Sequence, residues 1–165
     1  MPSVYIETSI VSYATARLSA DPAICVLQTE ARRWWDTQRS LFDLYTSQTV
    51  LDEAALGDTI AAAERLKLLQ DIDLVPINDR VREVAAELLA RSLMPQKAAV
   101  DALHIAAAAV AGIEYLLTQN CRHIANAHIM PRVYATLEEL GVSRPLICTP
   151  AEFLQGDNDA DEPNP

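Results

Sequence analysis

Ser3-Val4-Tyr5-Ile6-Glu7-Thr8-Ser9 is the stretch on which the fold turns. Val, Tyr and Ile favour a buried strand, and the run stops abruptly at a carboxylate. Thr8 and Ser9 then offer helix caps for Ile10 to Leu18. A strand that ends on an acid and passes directly into a helix is the first half of a β–α unit, and the pattern recurs along the chain. Asp21-Pro22 opens a helix to about Arg39, with Asp21 as cap and Pro22 at the first helical position. Trp34 and Trp35 in it read as core or interface residues. Leu41 to Thr46 reads as a second strand, and Ser47 caps a helix carrying Val50, Leu51, Ala54 and Ala55 at helical spacing.

Further out, Gly57-Asp58 interrupts and Thr59 to Gln70 resumes as helix. Leu74 to Ile77 is a third strand and Asp79 to Ser92 an amphipathic helix. Pro95 starts a strongly apolar helix that ends near Gly112. Tyr115 to Thr118 is a fourth strand, Pro131 to Leu140 a helix stopped by Gly141, and Leu146 to Cys148 a short last strand. Strand-like runs alternate with helices, and no tight hairpin joins neighbours. This predicts an α/β domain with a short, mostly parallel sheet between helices on both faces.

At 165 residues one domain is expected, large enough to bury its own core. We place the domain at 1–150, followed by an acidic, disordered tail at 151–165. The formal charge is −10, of which Asp157, Asp159, Asp161 and Glu162 contribute −4. So acidic a body argues against broad electrostatic adhesion to nucleic acid, though not against an enzyme that meets RNA through metal and a few arginines. Cys25, Cys121 and Cys148 are far apart, with no C-x-x-C. They read as reduced thiols of a cytoplasmic protein. No secretory leader is expected, and the apolar run from Ala102 to Ile113 is too short to span a bilayer.

In an open parallel sheet, ligands bind beyond the C-terminal ends of the strands. The first strand ends at Glu7 and the fourth at Gln119-Asn120, so Glu7 and Asn120 emerge at one edge. Glu53 lies in the second turn of the helix after strand two, near the same edge. Asp52 is its neighbour, but adjacent helical residues point about 100° apart. The apolar positions Val50 and Ala54 flank Glu53, which is the one expected to face the pocket. Asp101 interrupts an apolar helix, Ala98-Ala99-Val100-Asp101-Ala102-Leu103-His104-Ile105. A carboxylate there is costly unless paired, protonated or metal-bound. The plain alternatives are an ion pair with Lys97, one turn earlier, and a solvated helix face. His104 shares the face of Asp101 and reads as a packing or orienting residue. Clustered carboxylates suit Mg²⁺ or Mn²⁺, and such an ion supports phosphodiester hydrolysis. A Gly-rich phosphate loop, H-E-x-x-H and G-x-S-x-G are all missing.

These segments, taken in series, resemble the PIN-domain family. Val4-Tyr5-Ile6-Glu7-Thr8-Ser9 is similar to its opening strand followed by acid-Thr-Ser. Thr46-Ser47-x-x-Val50-x-x-Glu53 with Gly57-Asp58 resembles its second motif, Asp101-Ala102-Leu103-His104-Ile105-Ala106 its third, and Leu117-Thr118-x-Asn120-x-x-His123-Ile124 its fourth. The resemblance spans about residues 3 to 150. It implies a PIN-like α/β/α fold and a VapC-like toxin of a type II toxin–antitoxin pair: a Mg²⁺- or Mn²⁺-dependent endoribonuclease, usually a homodimer, silenced by a cognate antitoxin. By position, Glu7, Glu53 and Asp101, with Asn120 beside them, would be the catalytic residues, and Glu7 and Asp101 the metal ligands. Most members have Asp where this chain has Glu7, and many have an acid where it has Asn120, so the pocket loses one negative charge. Arg122 and His123 either contact phosphate or serve as a surface and a packing residue.

Two other classes compete. One is a catalytically weakened domain of the same fold that binds a protein partner, with the tryptophan helix as a candidate surface. The other is a phosphatase-like domain with an aspartyl nucleophile, against which Glu7 speaks.

Overall fold

The computed structural model describes residues 1–91 and 94–158. Five strands form one sheet: β1 (Ser3–Ile6), β2 (Asp43–Ser47), β3 (Asp73–Val75), β4 (Tyr115–Leu117) and β5 (Leu146–Cys148). Their order is β3-β2-β1-β4-β5, and every pairing is parallel. The expected mostly parallel sheet is thus wholly parallel among the described residues. The chain winds outward from β1 through β2 to β3, then crosses back to β4 and β5. With right-handed crossovers, the two windings cover opposite faces with helices and leave a switch point between β1 and β4.

The helices are α1 (Thr8–Thr15), α2 (Pro22–Thr37), α3 (Gln48–Ala54), α4 (Thr59–Leu69), α5 (Asp79–Arg91), α6 (Ala99–Val110), α7 (Met130–Glu139) and α8 (Pro150–Asn158). Helix α6 is the most buried. Ala102 and the run from Ala106 to Ala109 are inaccessible or nearly so, and their small side chains let the helix lie deep in the molecule. Its closest helical neighbour is α5. Gly112 and Gly141 stop α6 and α7 with positive φ of 71° and 69°, as a left-handed helix exit requires.

Several boundaries differ from those expected, among them the third strand, which runs Asp73–Val75 and not Leu74 to Ile77, and three have a visible cause. Helix α1 ends at Thr15, not Leu18, because Ala16 turns extended and Arg32 donates to the carbonyls of Ala14 and Ala16. Strand β2 begins at Asp43, because Arg39–Leu41 form a 3₁₀ turn and the Asp43 N–H pairs with the Pro2 carbonyl. The apolar helix opens as a 3₁₀ turn at Gln96–Ala98 before α6 proper. Trp34 and Trp35 are both buried, which places them in the core.

The expected boundary at residue 150 falls inside ordered structure. Pro150 starts α8, whose Phe153 ring packs on Phe42 at 5.2 Å, Tyr115 at 5.4 Å and Trp34 at 6.4 Å between centroids. An acidic composition hid this helix, since two apolar residues, Phe153 and Leu154, dock it. Residues 159–165 of the expected tail lie outside the described residues. No helix among the described residues is long and apolar enough to cross a membrane.

Phe153→Ala removes the ring that ties α8 to Phe42 at the entry to β2, to β4 and to α2. It is expected to lower stability by about 2 kcal/mol, read as a drop in melting temperature. An unchanged melt would mean that α8 is not docked.

Candidate active site

The side chains at the C-terminal edge of the sheet are placed by β1, β4 and the helices that follow β2 and precede β4. Strand β1 delivers Glu7, which is almost fully buried. Glu7, not Thr8 or Ser9, caps α1: its Oε2 accepts the Ser9 N–H at 3.1 Å. A carboxylate is well placed there against the positive end of the helix dipole. The same oxygen accepts the hydroxyls of Ser9 and Thr118, the latter at 2.7 Å. Thr118 follows β4, so Glu7 is fixed across the β1–β4 switch point. Its Oε1 has no partner among the described residues.

Glu53 does face this edge, as expected. Its Oε1 accepts from Thr8 Oγ1 at 2.6 Å and lies 2.6 Å from His104 Nε2, while its Oε2 has no partner among the described residues. Asp52 instead accepts from Gln48 on the exposed side of α3. Glu7, Glu53 and His104 each bring one ligand atom into a group within 4.8 Å of one another. Each of the two glutamates therefore keeps one oxygen tied to protein and one available. That is the donor set a hard divalent cation takes.

Asp101 is not a member of that compact group. Its Oδ1 accepts from Asn120 Nδ2 at 3.0 Å, and its Oδ2 lies 2.9 Å from His123 Nδ1. The ion pair with Lys97 allowed by spacing does not form. Asn120 is committed on both sides, because its carbonyl oxygen accepts the His123 N–H at 3.0 Å. With both ends of its side-chain amide in hydrogen bonds, Asn120 acts on the site by holding Asp101.

A buried chain of hydrogen bonds lies behind the cluster. His104, wholly inaccessible, has its Nδ1 2.9 Å from the Tyr5 hydroxyl, which in turn sits 2.7 Å from Ser47 Oγ. With neutral His104, Nε2–H donates to Glu53 and Nδ1 accepts from Tyr5. With charged His104, Nδ1–H donates to Tyr5 and the Tyr5 hydroxyl donates to Ser47. Both protonation states are fully satisfied. The sequence left His104 as a packing or orienting residue and Tyr5 as a strand residue. Their polar role depends on the helix and strand facing each other.

Burial pushes Glu53 up, but the hydrogen bond and charge of His104, with the Thr8 hydroxyl, outweigh it and hold Glu53 below the ordinary carboxylate value. Burial likewise pushes His104 down, yet its bond to Glu53 and the charges of Glu7, Glu53 and Asp101 leave it raised. Asp101 is raised, since its burial exceeds the help from His123. A lowered acid and a raised base both favour the ion pair. In metal-free protein its stabilisation is complete between the ordinary carboxylate and histidine values. It is lost as pH falls through the lowered Glu53 value or rises through the raised His104 value.

Removing the Glu53 charge tests this coupling. In metal-free protein, Glu53→Gln is expected to lower the His104 pKa, followed by NMR titration of the imidazole. The melting temperature should drop most between the two ordinary values and least at alkaline pH. A His104 titration that does not move would break the assigned pair.

Comparison with known proteins bears on this site. Among curated proteins no sequence matches the chain. Among solved structures, VapC20 of Mycobacterium tuberculosis, a sarcin–ricin-loop-cleaving toxin, superposes with a TM-score of 0.53 at 21% identity, covering 69% of this chain and 87% of that one. At that identity the likeness concerns the fold. The PIN domain family model matches residues 4–128, which include Glu7, Glu53, Asp101 and Asn120. This chain, with its wholly parallel sheet and its acids gathered at the switch point, belongs to the PIN domain family.

Proposed function

We propose that this protein is a divalent-metal-dependent endoribonuclease, the toxin of a toxin–antitoxin pair, acting in the cytoplasm. The observation that carries the reading is the convergence of Glu7 and Glu53 with His104 inside 4.8 Å, each glutamate holding one oxygen free. Membership of the PIN family and the fold shared with a sarcin–ricin-loop-cleaving toxin support it. RNA is then the substrate, a small cognate antitoxin the inhibitor and a homodimer the working form.

The residues present fit Mg²⁺ or Mn²⁺. Glu7 Oε1 and Glu53 Oε2 are free to bind, and Asp101 keeps lone pairs beyond those used by Asn120 and His123. Glu7 and Asp101 remain the proposed ligands. Asp101, outside the compact group, would meet such an ion directly or through a water that the ion retains. When bound, the ion would lower the pKa of a water and offset charge on the phosphate. Thr8, Ser9 and Thr118 hold the carboxylates in place before the ion arrives. Asn120 and His123 fix both oxygens of Asp101 and so set the direction from which it meets water. His104 supplies a nitrogen against Glu53 that limits repulsion within the cluster. Asn120 in place of an acid leaves this pocket less negative, which favours one ion over two.

The decisive test is cleavage of total cellular RNA by purified protein with Mn²⁺, with chelator and with Asp101→Ala. Cutting that requires metal and drops at least about a hundredfold in the variant is expected. Asn120→Ala, which frees Asp101 to rotate, should lose about ten- to a hundredfold. Saturating Mn²⁺ should also raise the melting temperature of wild-type protein, by linkage to the native state. No cutting by folded protein at high concentration would favour a partner-binding domain instead.

A further inference from the structure

Beside Asp101 the surface opens into a cleft of about 350 Å³. Its polar lining is Lys97, Arg122, His123 and Asn126, with Met94 and Ile129 among its apolar walls. Among the described residues no carboxylate lines it. In a chain of net charge −10 that sets the cleft apart, and six of the other eleven lysines and arginines are already tied to acids or carbonyls. Arg80, Arg82, Arg91 and Arg144 are ion-paired to acids, and Arg32 and Arg65 are bound to backbone carbonyls. Lys97 and Arg122, both exposed, have no side-chain partner among the described residues.

The cleft is joined to the acidic site by covalent and hydrogen-bonded links. Lys97 lies one helical turn before Asp101, and Arg122 follows Asn120 by two residues. His123 belongs to both places: its Nδ1 is on Asp101 and its ring lines the cleft. The loop that presents Arg122 is closed by its own bonds. The Ile124 and Ala125 N–H groups donate to the Asn120 carbonyl, and Asn126 Nδ2 donates to the Arg122 carbonyl at 2.7 Å. A cation on a closed loop loses less freedom on binding than one on an open loop.

We propose that this cleft is an RNA-backbone subsite, in which Lys97 and Arg122 hold a phosphate that flanks the one presented to the acidic cluster. The inference rests on the ribonuclease reading above and deepens it. A strand drawn to the carboxylates by metal alone has no fixed register. A guanidinium fork and an ammonium group one step away fix it, because phosphate contacts position a strand without reading its sequence. The apolar walls at Met94 and Ile129 give a ribose or base a surface to lie against.

The test uses the full chain, with Lys97→Ala, Arg122→Ala, the double variant, and Lys67→Ala on α4 as a control away from the cleft. Binding of a fluorescein-labelled single-stranded oligoribonucleotide is followed by anisotropy in Ca²⁺ across a salt series. Cleavage of the same strand is followed in Mn²⁺. Each cleft variant should weaken binding several-fold and reduce the slope of log affinity against log salt by about 0.7. KM should rise while kcat stays within a few-fold, and Lys67→Ala should match wild type. Wild-type affinity and salt slope in the double variant would overturn the subsite, even if wild-type protein cuts RNA. A wild-type protein that binds through the cleft but does not cut in Mn²⁺ would uphold the subsite and sink the nuclease reading.

Discussion

Carboxylates brought together at the end of a parallel sheet repel one another, and they do so where burial already disfavours charge. Glu7 sits at the C-terminal end of the central strand, nearly out of reach of solvent. It is tolerable there because one oxygen collects a backbone N–H and two hydroxyls from both sides of the β1–β4 switch point. Glu53 is held by Thr8 and His104, and Asp101 by Asn120 and His123. Each acid thus has its own set of donors, and none of the three sets uses a lysine or arginine. Hydroxyls, amides and imidazoles hold the acids, so at most the imidazoles offset their charge and Glu7 keeps its full field for a divalent cation.

The buried chain from Glu53 through His104 and Tyr5 to Ser47 extends this logic into the core. A histidine with no solvent contact usually marks a packing position. Here it joins an α6 residue to a β1 residue, and through Ser47 to the start of α3. Three elements that each contribute to the site share one set of hydrogen bonds, so a shift in any of them disturbs the others. The alanine-rich surface of α6 serves the same end, since small side chains let the helix come close enough for His104 to reach both Tyr5 and Glu53.

On the opposite side of the molecule the constraint is apolar. Trp34, Phe42, Tyr115 and Phe153 form an aromatic cluster that joins α2, the entry to β2, β4 and α8. The chain therefore separates its work. One end of the sheet carries charge and ordered donors, and the other carries the contacts that close the fold around its last helix. Beside the acidic site, Lys97 and Arg122 lie outside the ion pairs that tie the arginines of α5 to its own acids and to Glu139 of α7.

Order and spacing along the chain determined the alternating strands and helices, the parallel sheet and the positions of Glu7, Glu53 and Asp101. These follow from local rules: apolar period, caps, glycine stops, and the placement of strand ends at one edge. Choosing Glu53 over Asp52 was also legible, because a helix turns its neighbours about 100° apart. Tertiary structure decided the rest. It made Glu7 rather than Thr8 or Ser9 the cap, gave Asp101 to Asn120 and His123 rather than Lys97, and recruited His104 to the acidic group. It also extended the fold past residue 150. Each of these depends on which side chain from a distant element arrives within hydrogen-bonding or packing distance, and that is set by how β1, β4, α3 and α6 meet, a relation that no local pattern in the sequence encodes.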